Sequence, residues 1–413
     1  MWANKFQKED DMKILSINLG NYSSTGGIAQ GIKQEAEQHG IEYVLAYPFD
    51  PQNKASQKDD WIIGNRFGRK CSVALGMLTG FNGCFSLFST MKLLRRIERY
   101  SPDILHFHNL HNNYINLPLL FHYVKKKQIK VVWTLHDCWS FTGQCPYFDM
   151  VGCVKWQTGC YSCPKYMEYP KAYVDNTKTM WRLKKRWFNG VKNLTIVTPS
   201  KWLAALVKQS FLNTYSVQVI NNGVDLSVFQ PINGDIKERY GLSTEKIILG
   251  VAFDWGKRKG LDVFVELSKR LPQNYKIVLV GTDDSIRENL PSNIVALGRT
   301  KSQKELVEFY TMADVFVNPT KEENYPTVNM EALACGTPVF TFKTGGSPEI
   351  IDETCGLVVD CDDIDALERA IIRICTEKPY AKEACIIKAK EFDKNERFKE
   401  YVELYERVIT SGT

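Results

Sequence analysis

"VFVNPTKEENYPTVNMEALACGTPV", residues 315–339, passes from an apolar strand through a polar loop into an alanine-rich helix, then through a Gly-Thr-Pro turn towards another apolar strand. A strand, a helix and a second strand in so short a span make the crossover unit of a parallel sheet. The same alternation runs outward in both directions. On the N-terminal side lie "KILSIN" (13–18), "DILHFHN" (103–109), "KVVWTLH" (130–136), "LTIVTP" (194–199) and "VQVIN" (217–221), with helical patterns between most of them. After "NNGVDLSVFQP" the pattern restarts with "KIILGVA" (246–252), "KIVLVG" (276–281), "NIVAL" (293–297), "PVFTF" (338–342) and "GLVVD" (356–360). Continuous apolar strands with helical crossovers indicate parallel sheets covered on both faces. The chain is therefore α/β, with two doubly wound, Rossmann-like domains facing across a cleft and a boundary within 226–240. We place it between residues 232 and 233, giving an N-terminal domain over 1–232 and a C-terminal domain from 233 to 394.

Composition leaves few function classes open. Of 413 residues, 44% are hydrophobic and 24% charged, and the formal charge is +6. That excess is too small to argue for nucleic acid, although it suits anionic substrates or an anionic membrane surface. No apolar run reaches the roughly 18 residues that would suggest a membrane span, and "MWANKFQKEDD" lacks the apolar core of a secretory signal. These features predict a cytoplasmic protein, with Met12 an alternative start to Met1.

In open α/β sheets ligands sit at the carboxyl ends of strands. The polar residues and glycines found there are Gly26–Gly27, the histidines at 106, 108 and 111, His136–Asp137, Ser200–Lys201, Arg258–Lys259–Gly260, "GTDDS" (281–285), the Glu323/Glu331 pair and "TGGSPE" (344–349). The opening stretch is the most informative. Asn324 can cap the helix and Pro326 suits its first turn. The turn formed by Asn324, Tyr325, Pro326 and Thr327 then presents free N–H groups and the positive end of a helix dipole, a site for phosphate. Glu331, further along the helix, can accept two hydrogen bonds from a vicinal diol such as a ribose, and Glu323 can do the same for a second polyol. A ligand with a sugar at each end and phosphate between them is a nucleotide sugar.

Glu323-x7-Glu331 with "ALACGTPV" and "GGSPEII" resembles the signature of the retaining GT-B glycosyltransferases, in particular family 4. The resemblance extends over most of the chain, through Gly26–Gly27, His136–Asp137, "NGVD" at the domain junction, "RKG" and the double-Glu segment, in family order. "PDILHFHNLHNNYINLPLLF" and "WTLHDCWSFTG" narrow it to the subgroup of capsule, exopolysaccharide and O-antigen assembly. The resemblance implies transfer of a sugar from a nucleotide diphosphate sugar to a glycan or polyprenyl-linked acceptor, with no cofactor and no divalent metal in catalysis. Lys259 would neutralise the departing diphosphate, and His136 and Glu323 would lie by the reacting sugar. Gly26 and Gly27 would let backbone approach donor or acceptor. The family's second phosphate-binding cation, in a Gly-Arg pair, is replaced here by Ala252–Phe253, and Arg258 is the natural substitute. A last helix over 395–413 would pack back on the N-terminal domain.

Bland readings compete with several of these. His136 could be a core histidine, Arg258 a solvated helix-start residue, Gly26–Gly27 a plain turn, and Glu349 a cap for its own following helix. The three histidines from 106 to 111 fit packing or cleft lining better than metal binding, and Asp283–Asp284 fit turn chemistry. Seven of the twelve cysteines are scattered in apolar contexts. The others crowd into an insertion over 138–165, where Cys145, Cys153, Cys160 and Cys163, ending in a CxxC, can close a structural zinc site, with a disulfide or a reduced, unliganded loop as the alternatives. Residues 64–97 mix basic and large apolar residues and could dock on the inner face of the plasma membrane. A sugar phosphorylase or nucleotide-sugar epimerase, and a non-catalytic binding protein, are the alternative functions.

Overall fold

The computed structural model describes residues 12–53 and 59–410. The question of a start at Met1 or Met12 therefore falls outside the described residues. The apolar runs are strands, and their side chains are buried on both faces, which parallel pairing with helical crossovers requires. The N-terminal sheet comprises β1 (Lys13–Ile17), β2 (Glu42–Pro48), β3 (Trp61–Ile63), β4 (Ile104–Phe107), β5 (Lys130–Thr134), β6 (Leu194–Thr198) and β7 (Ser216–Val219). Its helices are α1 (Ser23–Gln38), α2 (Arg66–Thr79), α3 (Leu87–Tyr100), α4 (Leu117–Lys127), α5 (Thr177–Phe188) and α6 (Lys201–Gln209). The C-terminal sheet comprises β8 (Lys246–Val251), β9 (Tyr275–Val280), β10 (Ile294–Leu297), β11 (Val315–Asn318), β12 (Val339–Phe342) and β13 (Gly356–Val359). Around it stand α7 (Ile236–Arg239), α8 (Leu261–Arg270), α9 (Asp284–Arg287), α10 (Gln303–Met312), α11 (Thr327–Ala334), α12 (Ile364–Glu377) and α13 (Lys382–Ala389).

All pairings between these strands are parallel, in the orders β3-β2-β1-β4-β5-β6-β7 and β10-β9-β8-β11-β12-β13. Each order reverses direction once, at β1/β4 and at β8/β11. Loops leaving a reversal point diverge to opposite faces and open a crevice there. Those four strand ends carry residues 18–25, 108–111, 252–260 and 319–326, which fixes where a ligand can sit.

Two strands escaped the sequence reading. β2 and β3 are not among the runs read as strands, and a three-residue strand such as "WII" carries too little period to register. The final helix, α14 (Lys394–Thr410), leaves the C-terminal domain and lies against α1, burying Phe398, Tyr401, Val402, Leu404 and Tyr405 with Ile28 and Ile32. Gly31 makes the close approach possible, since a Cβ there would stand 2.1 Å from the Phe398 ring.

Between β5 and α5 the chain makes a long excursion containing only short 3-10 turns. Here the structure corrects the zinc expectation. Among the described residues no three or more His, Cys, Asp or Glu side chains are placed to hold a metal ion. The thiols are engaged locally instead. Cys145 and Cys163 share a hydrogen bond, and the Gly143 N–H donates to Cys160 Sγ at 3.1 Å. The excursion closes on aromatic packing, with Trp156 against Phe141 and Phe148 at 5.2 and 5.1 Å. Lys184, fully buried, donates to the Trp139 and Thr142 carbonyls at 2.6 and 3.1 Å and ties the excursion to α5.

Candidate active site

The loop after β11 and the first turn of α11 form one wall of the interdomain cleft. Lys259 Nζ donates to Glu323 Oε2 at 2.6 Å, and the Asn324 N–H donates to Glu323 Oε1 at 3.0 Å. Burial alone would raise the Glu323 carboxyl, but Lys259, Arg258 and that N–H together hold it below the usual carboxylate range. It is ionised at neutral pH. Lys259 is held by a 3-10 turn ending at Gly260, whose positive φ of 74° and 2.3 Å Cβ-to-Pro319 O distance exclude any side chain there.

The expected cap is corrected. Asn324 does not cap α11, whose cap position is Pro326 with no side-chain bond to the helix. Asn324 crosses the cleft instead: its amide nitrogen donates to the His136 carbonyl at 3.0 Å, and its Oδ1 accepts from Ser200 Oγ at 2.7 Å. α11 starts without a side-chain cap, and Tyr325, Pro326, Thr327 and Val328 at its start line the cleft. The Tyr325 ring is buried and packs on Phe392 at 6.4 Å, so this residue can offer backbone but not its phenol. Its carbonyl accepts from Asn222 of the "NGVD" junction at 3.2 Å.

Glu331, half-buried, sits further into the cleft and accepts from Tyr310 Oη at 2.9 Å. Burial raises its carboxyl above the ordinary value, with Tyr310 and Thr327 opposing in part. The cleft therefore has two compartments. One, of about 900 Å³, is lined by Glu331, Val280, Gly281, Arg299, Thr300 and Leu306 from the C-terminal domain and by Leu19, Gly20, Tyr22 and Thr25 opposite. The other, of about 250 Å³, is lined by Lys259, Arg258, Glu323, the first turn of α11, His136 and Tyr147. Thr25, Phe253 and Val328 line both, so the compartments adjoin. Tyr22, Arg299 and Thr300 were missed by the sequence reading. Arg299–Thr300 follow β10 after Gly298, so the strand-end rule that found the others would have found them.

His136 is buried at the rim. Burial pushes its pKa down to about 4, with Asp137 opposing and His111 adding to the shift, so the ring is neutral at pH 7. It stacks on His108 at 14° with Nε2···Nδ1 3.0 Å, while His106 bonds Thr134 and Tyr405 at 2.8 and 2.7 Å. These three histidines are held by aromatic and hydroxyl partners. Arg258 lies in the small compartment beside Lys259, donating to the Glu322 carbonyl at 3.2 Å and standing over the Tyr147 ring at 5.6 Å.

Two other expectations change. Gly26 and Gly27 are not in a loop: α1 begins at Ser23, ahead of the expected Ile28, and puts both in its first turns. Gly26 packs on Asn21 backbone, where a Cβ would meet the carbonyl carbon at 2.6 Å, whereas Gly27 has open space. Glu349 caps a helix, but in the other domain, accepting from the Lys201 and Trp202 N–H groups of α6 at 2.8 Å each.

Comparison with known proteins finds glycosyltransferases. Residues 233–397 match the family described as "Glycosyl transferases group 1", and residues 28–228 match "Glycosyltransferase Family 4". WcaC of Escherichia coli K12, assigned as a glycosyl transferase of colanic acid biosynthesis, is 27% identical over 371 residues, covering 86% of this chain and 88% of that one. An Escherichia coli UDP-Gal:α-D-GlcNAc-diphosphoundecaprenol α-1,3-galactosyltransferase is 27% identical over 42% of this chain and 48% of its own length. Among solved structures, sucrose-phosphate synthase from Thermosynechococcus elongatus superposes with a TM-score of 0.72 at 17% identity, covering 97% of this chain and 100% of that one. Anabaena HepE, solved with UDP and glucose, superposes at 0.66 and 16% identity, covering 96% and 99%.

Proposed function

This chain belongs to the group 1, family 4 glycosyltransferases, and we propose that it is a retaining, metal-independent transferase that moves a sugar from a nucleotide diphosphate sugar to a lipid-linked glycan in surface polysaccharide synthesis. One observation carries the reading. A cation, uncapped helix amides and two carboxylates line one continuous cleft between the two switch points, in the order a nucleotide sugar demands. Glu331 takes the ribose hydroxyls in the large compartment, with the base towards Arg299 and Thr300. The diphosphate lies against Lys259, Arg258 and the first amides of α11. Glu323 and His136 hold the sugar. As the anomeric carbon–oxygen bond to the diphosphate breaks and a bond to the acceptor oxygen forms, the acceptor hydroxyl's proton passes to the departing diphosphate, and the charge that grows on that phosphate lies beside Lys259. Stabilising charge at that point lowers the barrier without a divalent ion. Neutral His136 and ionised Glu323 offer the sugar hydroxyls a donor or acceptor and an acceptor, respectively.

The lipid-linked acceptor is supported by the relative that acts on a diphosphoundecaprenol substrate. It is also supported by α2 and α3. Residues 61–97 carry six basic residues and no acidic one, and Phe67 and Phe88 are 78% and 79% exposed. Among the described residues no helix is long and apolar enough to cross a membrane. An amphipathic basic face of this kind binds anionic bilayers from the side, which suits a peripheral position on the inner face of the plasma membrane.

The test is a panel of UDP-, GDP- and other nucleotide sugars, screened first by thermal stabilisation. Positives are then assayed for transfer to a diphosphoundecaprenol-linked sugar, with and without chelator, with the product anomer read by NMR. Stabilisation by one donor and chelator-resistant transfer with the donor's anomeric configuration are expected. Stabilisation that survives unchanged in Lys259→Met and Glu331→Ala would place the nucleotide elsewhere.

A further inference from the structure

The excursion between β5 and α5 reaches across the cleft and grips the loop that carries Glu323. Glu322, 1% exposed, receives both its charge partner and a backbone amide from that excursion. Lys165 Nζ donates to Glu322 Oε1 and Oε2 at 2.9 Å each, and the Met150 N–H donates to Oε1 at 3.1 Å. Lys165 is itself only 7% exposed, and a second ion-pair partner, Glu168 at 3.3 Å, lies at the surface. The same excursion supplies Tyr147, over which Arg258 stands. Burying two opposite charges is an inefficient way to gain stability, because desolvation cancels much of their attraction; such pairs are better understood as setting a register. Here the register is between domains, and Glu322 is directly bonded in sequence to the carboxylate proposed to hold the sugar.

We infer that the cysteine-rich excursion is an interdomain latch in which Lys165 is a positioning residue: through Glu322 it holds Glu323 and Arg258 opposite His136 and keeps the cleft closed. The inference rests on the transferase reading above for its kinetic consequences, but not for its structural ones. Parting of the two domains at this point must break the Lys165–Glu322 pair and the Tyr147–Arg258 contact together. Glu331, Lys259 and the start of α11 belong to the C-terminal domain and stay together when the domains part, so loss of the latch falls mainly on kcat.

The test uses the full chain with Lys165→Met, Lys165→Arg and the charge-exchanged double variant Lys165→Glu/Glu322→Lys. Lys165→Met is expected to lower kcat by about tenfold or more, as misplacement of a reacting group does, while KM for the nucleotide sugar stays within roughly threefold. Lys165→Arg should recover most of the loss, and the exchanged pair more than either of its single charge reversals. Small-angle scattering without nucleotide should show a larger radius of gyration for Lys165→Met than for the parent. Parental kcat in Lys165→Met overturns the latch, as does a loss of kcat that Lys165→Arg and the exchanged pair fail to relieve. If the parent transfers no sugar to any acceptor, the transferase reading fails instead. The scattering comparison still decides the latch, since equal radii for the parent and Lys165→Met refute it.

Discussion

Glu331 offers the sharpest test, because its two jobs predict opposite effects of two substitutions. In Glu331→Ala a bound ribose loses two hydrogen bonds to an ionised acceptor. At the lower end of the range for charged partners, about 1.5 kcal/mol each, the sum of about 3 kcal/mol weakens nucleotide affinity roughly 150-fold. The same truncation removes the acceptor of Tyr310 Oη, a hydroxyl on a fully buried side chain. Leaving that donor orphaned costs about 1–3 kcal/mol of stability. Glu331→Gln keeps one carbonyl oxygen, which Tyr310 and the ribose must share, and turns the other oxygen into a donor, so affinity falls about tenfold. Its effect on stability has the other sign. Burial raises the folded carboxyl above its ordinary value of 4.5, so the folded state binds a proton more readily than the unfolded chain. The contribution of this group is favourable below the unfolded pKa and is lost as pH rises through the folded one, so the native protein carries a cost at pH 7 that the amide does not. Titration calorimetry with the nucleotide diphosphate, paired with melting at pH 7 and pH 4, measures both quantities. Glu331→Gln should melt higher than the parent at pH 7 and lose that advantage at pH 4. An Ala variant that melts cooperatively and binds nucleotide with parental affinity would refute the assignment of Glu331 to the ribose.

Lys259→Met removes a charge-assisted hydrogen bond worth about 1.5–3 kcal/mol, so steady-state assays should show kcat/KM reduced roughly 10- to 150-fold. Acid should destabilise the protein steeply through its buried histidines. His106 and His136 are pushed down to about 3 and 4 by burial, and His108 well below its ordinary 6.5. All three are neutral when folded and protonate on unfolding, so their stabilisation is present above pH 6.5 and is lost progressively as pH falls below it. Denaturant titrations between pH 7 and pH 4 check the direction, and replacing His106 should make the loss with acid shallower. Gly31→Ala drives a methyl into the Phe398 ring, and overpacking at a helix contact costs about 1–3 kcal/mol. Melting of the single variant and of Gly31→Ala/Phe398→Leu should show the loss and its partial recovery.

The site was legible wherever one element carries its own signal. The strand ends at 134, 251 and 318 can be read from apolar runs, and the residues just beyond them, His136, Lys259 and Glu323, do line the cleft. Gly26–Gly27 misled because two glycines lower helix propensity locally, yet the packing of α1 on α14 and the sheet outweighs that preference. Four cysteines at metal-like spacing misled for a related reason. Spacing permits a tetrahedron, but the aromatic core around Trp156 and the thiol pairing of Cys145 with Cys163 place the sulfurs otherwise.

Sequence alone determined that there are two parallel sheets, most of their strand ends and therefore many of the residues available to a cleft, because hydropathic period and turn chemistry report the geometry of a single element. Only the tertiary structure decided which of those residues meet. Asn324 turns from a helix cap into a donor to a carbonyl 188 residues away, Glu349 caps a helix 148 residues earlier, and Glu322 is neutralised by a lysine 157 residues before it. No local pattern encodes such pairings, since each partner's position is set by the packing of two whole domains rather than by its neighbours in the chain.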